Sequence, residues 1–172
     1  MLLVEGGFFP TREKASSAIM AGCISRKGKQ LNKPGIQLTD LQEVEIISNA
    51  CPYVSRAGLK LEAALDSFEM PLQEKTCLDI GASTGGFTDC LLQKGMGHVY
   101  AIDVGYGQLD WKLRNHPQVT CIERTNARYL TPDILYSSGQ MKADLAVMDV
   151  SFISILKILP ALKTLLKPEA PL

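Results

Sequence analysis

The most informative segment of this 172-residue sequence reads Leu78-Asp79-Ile80-Gly81-Ala82-Ser83-Thr84-Gly85-Gly86-Phe87. It begins as a short apolar strand, continues as a glycine-rich turn and opens a helix that we predict over residues 84–94. Glycine has no Cβ, so the backbone can turn sharply there and approach a ligand closely. Free N–H groups at the start of the helix point at whatever lies over the turn. The segment therefore predicts a ligand-binding turn in a doubly wound α/β sheet.

The sequence around this turn alternates between apolar strands and helices. We predict four strands, at residues 76–80, 98–103, 119–123 and 143–149. The helices between and after them are predicted over residues 84–94, 108–116 and 151–166, the last of them kinked at Pro160. This alternation is typical of a parallel sheet with right-handed crossovers.

A polar residue stands at or just after the end of each predicted strand. Asp79, Asp103, Asn126 and Asp149 follow one another at intervals of 24, 23 and 23 residues, about one strand–helix unit per step. A single aspartate in such a place often only caps a loop. Four in register beside a glycine-rich turn predict a binding edge of the sheet, where open α/β sheets hold their ligands.

Three classes of ligand or chemistry compete for this edge. The Gly-x-Ser-x-Gly pattern around Ser83 suggests a hydrolase, whose histidine follows the acid. Both histidines, His98 and His116, precede Asp149, so the base is missing. A dinucleotide needs a second glycine against its pyrophosphate, and Ser83 stands there, with the charge of Asp79 close by.

S-adenosylmethionine fits the pattern best of the three. Its sulfonium and amino-acid groups are compatible with a carboxylate at Asp79, and it has no phosphate. Asp103 can accept both ribose hydroxyl groups. The amide of Asn126 offers a donor and an acceptor to the adenine edge.

Composition sets wider limits. The formal net charge is zero and the pI is near 6.7, which gives no global argument for nucleic acid or membrane binding. The five cysteines form no Cys-x-x-Cys pair, so no metal site is expected. Unpaired thiols without an export signal indicate the reducing cytoplasm. The longest apolar stretch, residues 145–166, is interrupted by charges and Pro160, so no membrane partner is expected.

The first 50 residues have a different pattern. We predict a helix over residues 12–21 capped by Thr11, a hairpin over 23–31 with Gly28 at its turn, and a strand over 44–47. Six basic residues lie between positions 12 and 33 against one acid, a charge of +5: Arg12, Lys14, Arg26, Lys27, Lys29 and Lys33. Such a cluster either binds a phosphate backbone or is an ordinary solvated face.

Residues 2–48 resemble the S-four-type RNA-binding module. The resemblance rests on Thr11-Arg12-Glu13-Lys14-Ala15, Ile19-Met20-Ala21-Gly22-Cys23-Ile24 and Leu31-Asn32-Lys33-Pro34-Gly35. It implies RNA binding through the basic helix and hairpin. A linker at 49–54 and a helix capped by Ser55 follow, with an apolar stripe of Leu61, Ala64, Leu65 and Phe68. Pattern alone gives Arg56 and Lys60 as two surface cations.

Four further segments resemble the TlyA family of haemolysin-like proteins, which are ribosomal RNA 2′-O-ribose methyltransferases. They are Tyr53-Val54-Ser55-Arg56-Ala57-Gly58-Leu59-Lys60-Leu61, Asp79 to Thr88, Glu123-Arg124-Thr125-Asn126-Ala127-Arg128 and Met148-Asp149-Val150-Ser151-Phe152-Ile153-Ser154. The resemblance implies a module at 1–48, a linker at 49–54 and, at 55–172, an α/β, Rossmann-like methyltransferase domain similar to FtsJ/RrmJ. It also implies S-adenosylmethionine as cofactor and ribosomal RNA or a ribosomal subunit as partner.

The resemblance assigns site residues as well. It implies a catalytic pair, Lys60 and Asp149. The residues expected to bind the cofactor are Asp79, Gly81, Ser83, Gly85, Gly86, Phe87, Asp103, Val104 and Asn126. The residues expected to bind RNA are Arg12, Lys14, Arg26, Lys27, Lys29, Lys33 and Arg56.

One departure from the family pattern concerns the end of the chain. The family's second catalytic lysine, its glutamate and the last three strands of its sheet have no counterpart here, and Lys167 does not match the missing lysine. We therefore expect the 172-residue chain, tested alone, to be poorly stable or inactive. Two other functional hypotheses stay open: a non-catalytic RNA-binding protein with a degenerate methyltransferase fold, and a membrane-active haemolysin.

Overall fold

The computed structural model describes residues 2–20, 22–36, 38, 40–47, 51–136, 142–151 and 153–172. The N-terminal part comprises helices α1 (Leu2–Glu5) and α2 (Arg12–Met20) and strands β1 (Ile24–Arg26), β2 (Lys29–Gln30) and β3 (Val44–Ile46). The three strands form an antiparallel sheet in the order β2-β1-β3. Leu3, Ala15, Ile19, Ile24, Leu31 and Val44 pack into a core of their own beneath it.

The hairpin predicted around Gly28 is confirmed. Lys27 and Gly28 form its two-residue loop, with positive φ angles of 51° and 69°. Positive φ at both positions gives the backbone twist that matches two antiparallel strands. The predicted helix end at Ala21 and the linker residues Asn49 and Ala50 lie outside the described residues.

The second part contains the predicted parallel sheet. Its elements are α3 (Ala57–Phe68), β4 (Thr76–Ile80), α4 (Gly86–Gln93), β5 (His98–Ile102), α5 (Trp111–Arg114), β6 (Val119–Ile122), α6 (Pro132–Leu135), β7 (Leu145–Met148) and α7 (Leu159–Leu165). The strands pair in parallel in the order β6-β5-β4-β7. The chain steps outward from β4 to β6 and then returns to the other side of β4. The glycine-rich turn therefore lies at a topological switch point, where ligands bind in such sheets.

Apolar clusters cover both faces of this sheet. Leu78, Ile80 and Ile102 pack against Leu162 and the rest of α7 on one face. On the other face, α3 and α4 pack over β4, β5 and β7, which fixes α3 beside the sheet. The predicted stripe on α3 is confirmed at Leu61 and Leu65, which are buried.

Three local predictions are wrong. Phe68 is exposed because α3 ends there and Glu69 turns into the left-handed region. Ser55 does not cap α3: the cap position belongs to Arg56, without a side-chain hydrogen bond. Pro160 does not kink a long helix, because α7 begins at Leu159 and the proline lies in the first turn, where its missing N–H is tolerated.

The second sheet helix is also shorter than predicted. Residues 108–110 form a loop, and the Asp110 side chain accepts a hydrogen bond from Lys112 N, 2.8 Å away, to begin α5 at Trp111. This leaves Gln108 in a loop beside the glycine-rich turn. Within the described ranges, none of the helices has the length and apolarity needed to cross a bilayer.

Candidate active site

A cavity of about 850 Å³ opens at the carboxyl edge of the parallel sheet. All four strand-end residues line it: Asp79, Asp103, Asn126 and Asp149. Other residues proposed for the cofactor line it too, namely Gly81, Ser83, Gly86, Phe87 and Val104. The four polar residues that are regularly spaced in the sequence therefore meet in one concave site.

The glycine-rich turn is fastened to the neighbouring strand. The N–H groups of Gly81 and Ala82 both donate to Ile102 O, at 2.8 and 3.1 Å. Gly81 has φ +83°, and a Cβ there would lie 2.9 Å from Val150 Cγ1 and 3.0 Å from Asp149 O. Glycine at this position therefore lets the turn after β4 pack against the segment that follows β7.

Gly85 has a different role from Gly81. It does not line the cavity; it precedes α4 with φ +95°, and a Cβ on it would overlap Leu113 Cδ1 and lie 2.8 Å from Leu109 Cδ1. The structure therefore explains this glycine by backbone conformation and packing against α5. Its contact with a cofactor stays a prediction.

We expect Gly85→Ala to destabilise the chain by about 3 kcal/mol, from a left-handed backbone and an overpacked contact together. Gly28→Ala is the matched control, because Gly28 also has positive φ but nothing lies within 4 Å of its missing Cβ. The control should lose only about 1 kcal/mol. Urea denaturation of both variants measures the difference; equal losses would contradict the packing role of Gly85.

Asp79 is the buried acid of the site. Its side chain is 1% exposed and accepts a hydrogen bond from Thr88 Oγ1 at 2.7 Å. Burial raises the pKa of Asp79 to about 7, although the hydrogen bonds from Thr88 lower it; the nearby charges of Asp103 and Asp149 raise it further. A carboxylate in this position gains from any cation that enters the cavity.

Asp103 joins two loops at the cavity. Its Oδ2 accepts from Ser83 N at 2.8 Å, and its Oδ1 accepts from Gly105 N at 2.7 Å. Each carboxylate oxygen has two lone pairs, so each can still accept one hydroxyl of a ligand. Asn126 also has both a structural contact and a group left for a ligand. Its Oδ1 accepts a hydrogen bond from Arg128 N at 3.1 Å, which caps the 3₁₀ turn at Ala127–Tyr129. Its amide NH₂ group is the donor that remains for a base.

Lys60 and Asp149 meet across 89 positions of sequence. Lys60 Nζ lies 3.0 Å from Asp149 Oδ1, with side chains 66% and 45% exposed. Asp149 lines the cavity, so the pair lies at its edge with the ammonium group open to solvent. Lys60 is thus an exposed cation, as its pattern indicated, and its ion pair brings it to the edge of the cavity. Its catalytic role stays a prediction.

Several cavity residues were missed by the sequence analysis. They include Gln108, Thr125, Arg128, Ser154 and Lys157. Thr125 and Arg128 flank Asn126, so the strand-end register could have found them. Gln108 was missed because the predicted helix began at this residue, about one turn too early. Lys157 was missed because no recognisable motif surrounds it in the sequence.

The basic residues of the N-terminal part lie apart from the cavity, since none of those described lines it. Arg12, Lys14, Lys27, Lys29, Lys33 and Arg56 are exposed. Arg26 differs, because its guanidinium pairs with Asp40 at 2.7 Å and its side chain is only 21% exposed. The described residues contain no cluster of His, Cys, Asp and Glu that could hold a metal ion.

Comparison with known proteins places this chain in a family. Residues 53–170 match the family of FtsJ-like methyltransferases. Over 168 residues the chain is 50% identical to YqxC of Bacillus subtilis, covering 98% of this chain and 59% of YqxC. Over 161 residues it is 44% identical to the 16S/23S rRNA (cytidine-2′-O)-methyltransferase TlyA of Mycobacterium tuberculosis, covering 93% of this chain and 59% of TlyA.

A solved structure agrees with these matches. A Streptococcus thermophilus protein described as a hemolysin superposes with a TM-score of 0.68 at 44% identity, covering 96% of this chain and 60% of that one. The chain thus spans about 60% of the length of these relatives. It belongs to the FtsJ-like methyltransferase family, as the resemblance to TlyA in its motifs implied.

Proposed function

We propose that the protein transfers the methyl group of S-adenosylmethionine to a ribose 2′-hydroxyl of ribosomal RNA in the cytoplasm. The observation that carries this proposal is the pair of Lys60 and Asp149, 3.0 Å apart at the edge of the cavity beside the glycine-rich turn. The M. tuberculosis relative is named for the same chemistry on 16S and 23S rRNA.

The residues of the cavity fit the cofactor. Asp79 is a buried carboxylate that accepts its hydrogen bond from a neutral hydroxyl, that of Thr88, and a positively charged sulfonium or ammonium group supplies it with a counter-ion. Asp103 offers two acceptors for ribose hydroxyls, and Asn126 offers an amide donor to a base. Val104 presents an exposed apolar side chain to the cavity. S-adenosylmethionine supplies an electrophilic methyl group when bound.

The chemistry at the pair of Lys60 and Asp149 concerns a proton. A ribose hydroxyl is a weak nucleophile and must lose its proton as it attacks. In this proposal Lys60 accepts that proton as an amine, or stabilises the developing alkoxide as an ammonium. Asp149 orients Lys60 and can accept a hydrogen bond from the incoming hydroxyl. The remaining rate acceleration comes from positioning.

The position of the transferred methyl group tests this proposal. Ribosomal RNA is incubated with tritiated S-adenosylmethionine and a whole-length protein that carries this chain at the length of its relatives. The RNA is then hydrolysed in alkali. A 2′-O-methyl group blocks cleavage of the adjacent phosphodiester, so the label should appear in alkali-resistant dinucleotides. Label in mononucleotides would mean base methylation, and RNA binding without any cofactor binding would favour the non-catalytic alternative.

We further propose that residues 1–48 act as the RNA-binding module, joined by residues 49–54 to the catalytic part at 55–172. Exposed cations on the hairpin and its neighbours support this proposal, since Lys27, Lys29 and Lys33 have open side chains. Arg26 is a weaker candidate than the sequence suggested, because Asp40 already neutralises it. The Arg56 side chain lies close to Gly22, which comes just before the hairpin.

Removing two hairpin cations should weaken RNA binding without affecting the cofactor site. For the double variant Lys27→Ala/Lys29→Ala, we expect the slope of log affinity against log salt concentration to fall by about 1.5. Lys94→Ala is the control, because Lys94 is paired with Asp66 on another surface. Filter binding across a salt series measures both. An unchanged slope in the double variant would contradict the proposed RNA surface.

A further inference from the structure

The loop from Asp103 to Gln108, called here the β5 loop, forms one wall of the cavity. Asp103, Val104 and Gln108 contribute to the lining. Gly107 has φ +69°, and Val104 and Tyr106 are about 70% exposed, so the loop contains little buried apolar side-chain surface of its own. Its conformation therefore depends on contacts from outside the loop.

Most of those contacts come from the residues that follow β6. Arg124 N donates to Gly105 O at 2.9 Å, and Thr125 N donates to Asp103 O at 3.0 Å. The Arg124 guanidinium lies over the Tyr106 ring, 4.1 Å from its centroid. Two backbone hydrogen bonds and one cation–π contact thus fix the first half of the loop.

Glu123 fixes the second half. Its Oε1 accepts from Gln108 N at 3.2 Å and from Arg114 Nη2 at 2.5 Å, and its carboxylate also takes a backbone hydrogen bond from Gly107. The side chain is only 9% exposed. The hydrogen bond from Arg114, followed by the one from Gly107, lowers the pKa of Glu123, so the carboxylate stays charged at neutral pH.

The chemistry of this contact calls for a carboxylate. Three donors converge on it, one of them a cation, and a carboxylate accepts about four hydrogen bonds through two equivalent oxygens. Glutamine would keep the length but lose the charge that Arg114 pairs with, and would turn an NH₂ group toward one of the donors. Glu123 itself does not line the cavity.

We propose that Glu123 is a positioning residue for the cofactor: with Arg114 as its counter-ion, it holds Gly107 and Gln108 in the second half of the β5 loop, so that Gln108 keeps its place in the cavity wall against the adenosine half of S-adenosylmethionine. This inference rests on the proposed function for the identity of the ligand. That Glu123 stabilises the loop rests only on its hydrogen bonds with Gly107, Gln108 and Arg114. Lys60 and Asp149 lie on other elements, so Glu123 sets cofactor binding and leaves the transfer step itself unchanged.

The test compares Glu123→Gln with Asp66→Asn. Asp66 also pairs with a cation, Lys94 at 2.6 Å in the same domain, but it does not line the cavity or touch the β5 loop. Hydrogen exchange of the ligand-free whole-length protein measures the opening of the loop directly. In Glu123→Gln the amides of Gly107 and Gln108 should exchange at least about tenfold faster, as expected when a hydrogen bond to a charged group is lost. In Asp66→Asn they should keep the wild-type rate.

Calorimetry with S-adenosylmethionine then measures the effect of the substitution on cofactor affinity. Glu123→Gln should raise the dissociation constant by about tenfold or more, and Asp66→Asn should leave it within about twofold. In the whole-length protein, the KM for S-adenosylmethionine should rise while kcat stays within about twofold. A merely structural role would lower the melting temperature without shifting affinity per folded molecule, and that result would overturn the inference.

The two levels of the proposal fail in distinguishable ways. Wild-type protein that does not bind S-adenosylmethionine would overturn the proposed function and, with it, the ligand assigned here. Wild-type protein that binds the cofactor, beside a Glu123→Gln variant with equal affinity and unchanged exchange in the β5 loop, would overturn the positioning role alone. Where Glu123→Gln folds poorly, Arg114→Lys provides a milder form of the same test, since it keeps the charge but loses the planar guanidinium.

Discussion

Replacing Lys60 with alanine is expected to reduce methyl transfer by about 1,000-fold, within the range that a positioned proton acceptor contributes. The affinity for S-adenosylmethionine should stay within about twofold of the wild type. Lys60 is 66% exposed and contacts Asp149 rather than the glycine-rich turn, so its removal leaves the cofactor part of the cavity intact. Stability should also be nearly unchanged, because exposed ion pairs contribute little to folding.

Two further variants sharpen the role of Lys60. Lys60→Arg can still pair with Asp149, but a guanidinium does not give up its proton, so activity should stay low if Lys60 accepts a proton. Recovery of activity in Lys60→Arg would assign Lys60 to electrostatic stabilisation instead. Lys112→Ala, which removes an exposed lysine on α5, is the control and should keep wild-type turnover. Loss of cofactor binding in Lys60→Ala would show that Lys60 is structural.

Replacing Asp79 with asparagine is expected to stabilise the ligand-free chain and to weaken cofactor binding. The pKa of Asp79 is about 7 in the folded protein and near its ordinary value of 3.8 in the unfolded chain. The unfolded state therefore loses this proton first as pH rises, and the contribution of Asp79 to stability falls between pH 4 and 7. Above pH 7 the charged, buried carboxylate costs up to about 4 kcal/mol relative to a neutral group.

The raised pKa of Asp79 makes the effect of the Asp79→Asn substitution on stability depend on pH. The difference in unfolding free energy between Asp79→Asn and wild type should grow from pH 5 to pH 8, with the variant more stable at the upper end. Urea denaturation across this range measures it. Asn keeps an oxygen that accepts from Thr88 but offers no charge to a sulfonium or ammonium group, so affinity for S-adenosylmethionine should fall by about tenfold or more. A pH-independent difference, or a variant that binds the cofactor as well as wild type, would contradict this role.

The main features of the fold and of the cavity edge followed from the sequence. Alternating strands and helices leave few topologies, so Asp79, Asp103, Asn126 and Asp149 had to meet at one edge if the strands were parallel. Pairing Lys60 with Asp149 was different. Helical periodicity places Lys60 beside an apolar stripe, but only the family resemblance connected it with a residue 89 positions away.

What the sequence could not predict depends on contacts between distant segments. Gly85 looks like a ligand glycine in its turn, but Leu113 of α5 packs where its Cβ would be. Arg26 looks like a free cation until Asp40, 14 positions later, folds against it. Glu123 belongs to a recognisable motif, yet its role is visible only once Arg114 and the β5 loop converge on it. Propensity and periodicity describe one helix or strand at a time, whereas each of these three contacts joins segments that are separated in the sequence.

The central claim is that the turn after β4 and the acids around it form an S-adenosylmethionine site. Isothermal titration calorimetry of the whole-length protein with S-adenosylmethionine tests it most directly, because the turn and these acids line one cavity. The expected result is saturable binding with one ligand per chain, weakened in Asp79→Asn and preserved in Lys60→Ala. Folded wild-type protein that gives no binding heat at millimolar S-adenosylmethionine at several temperatures would contradict the claim.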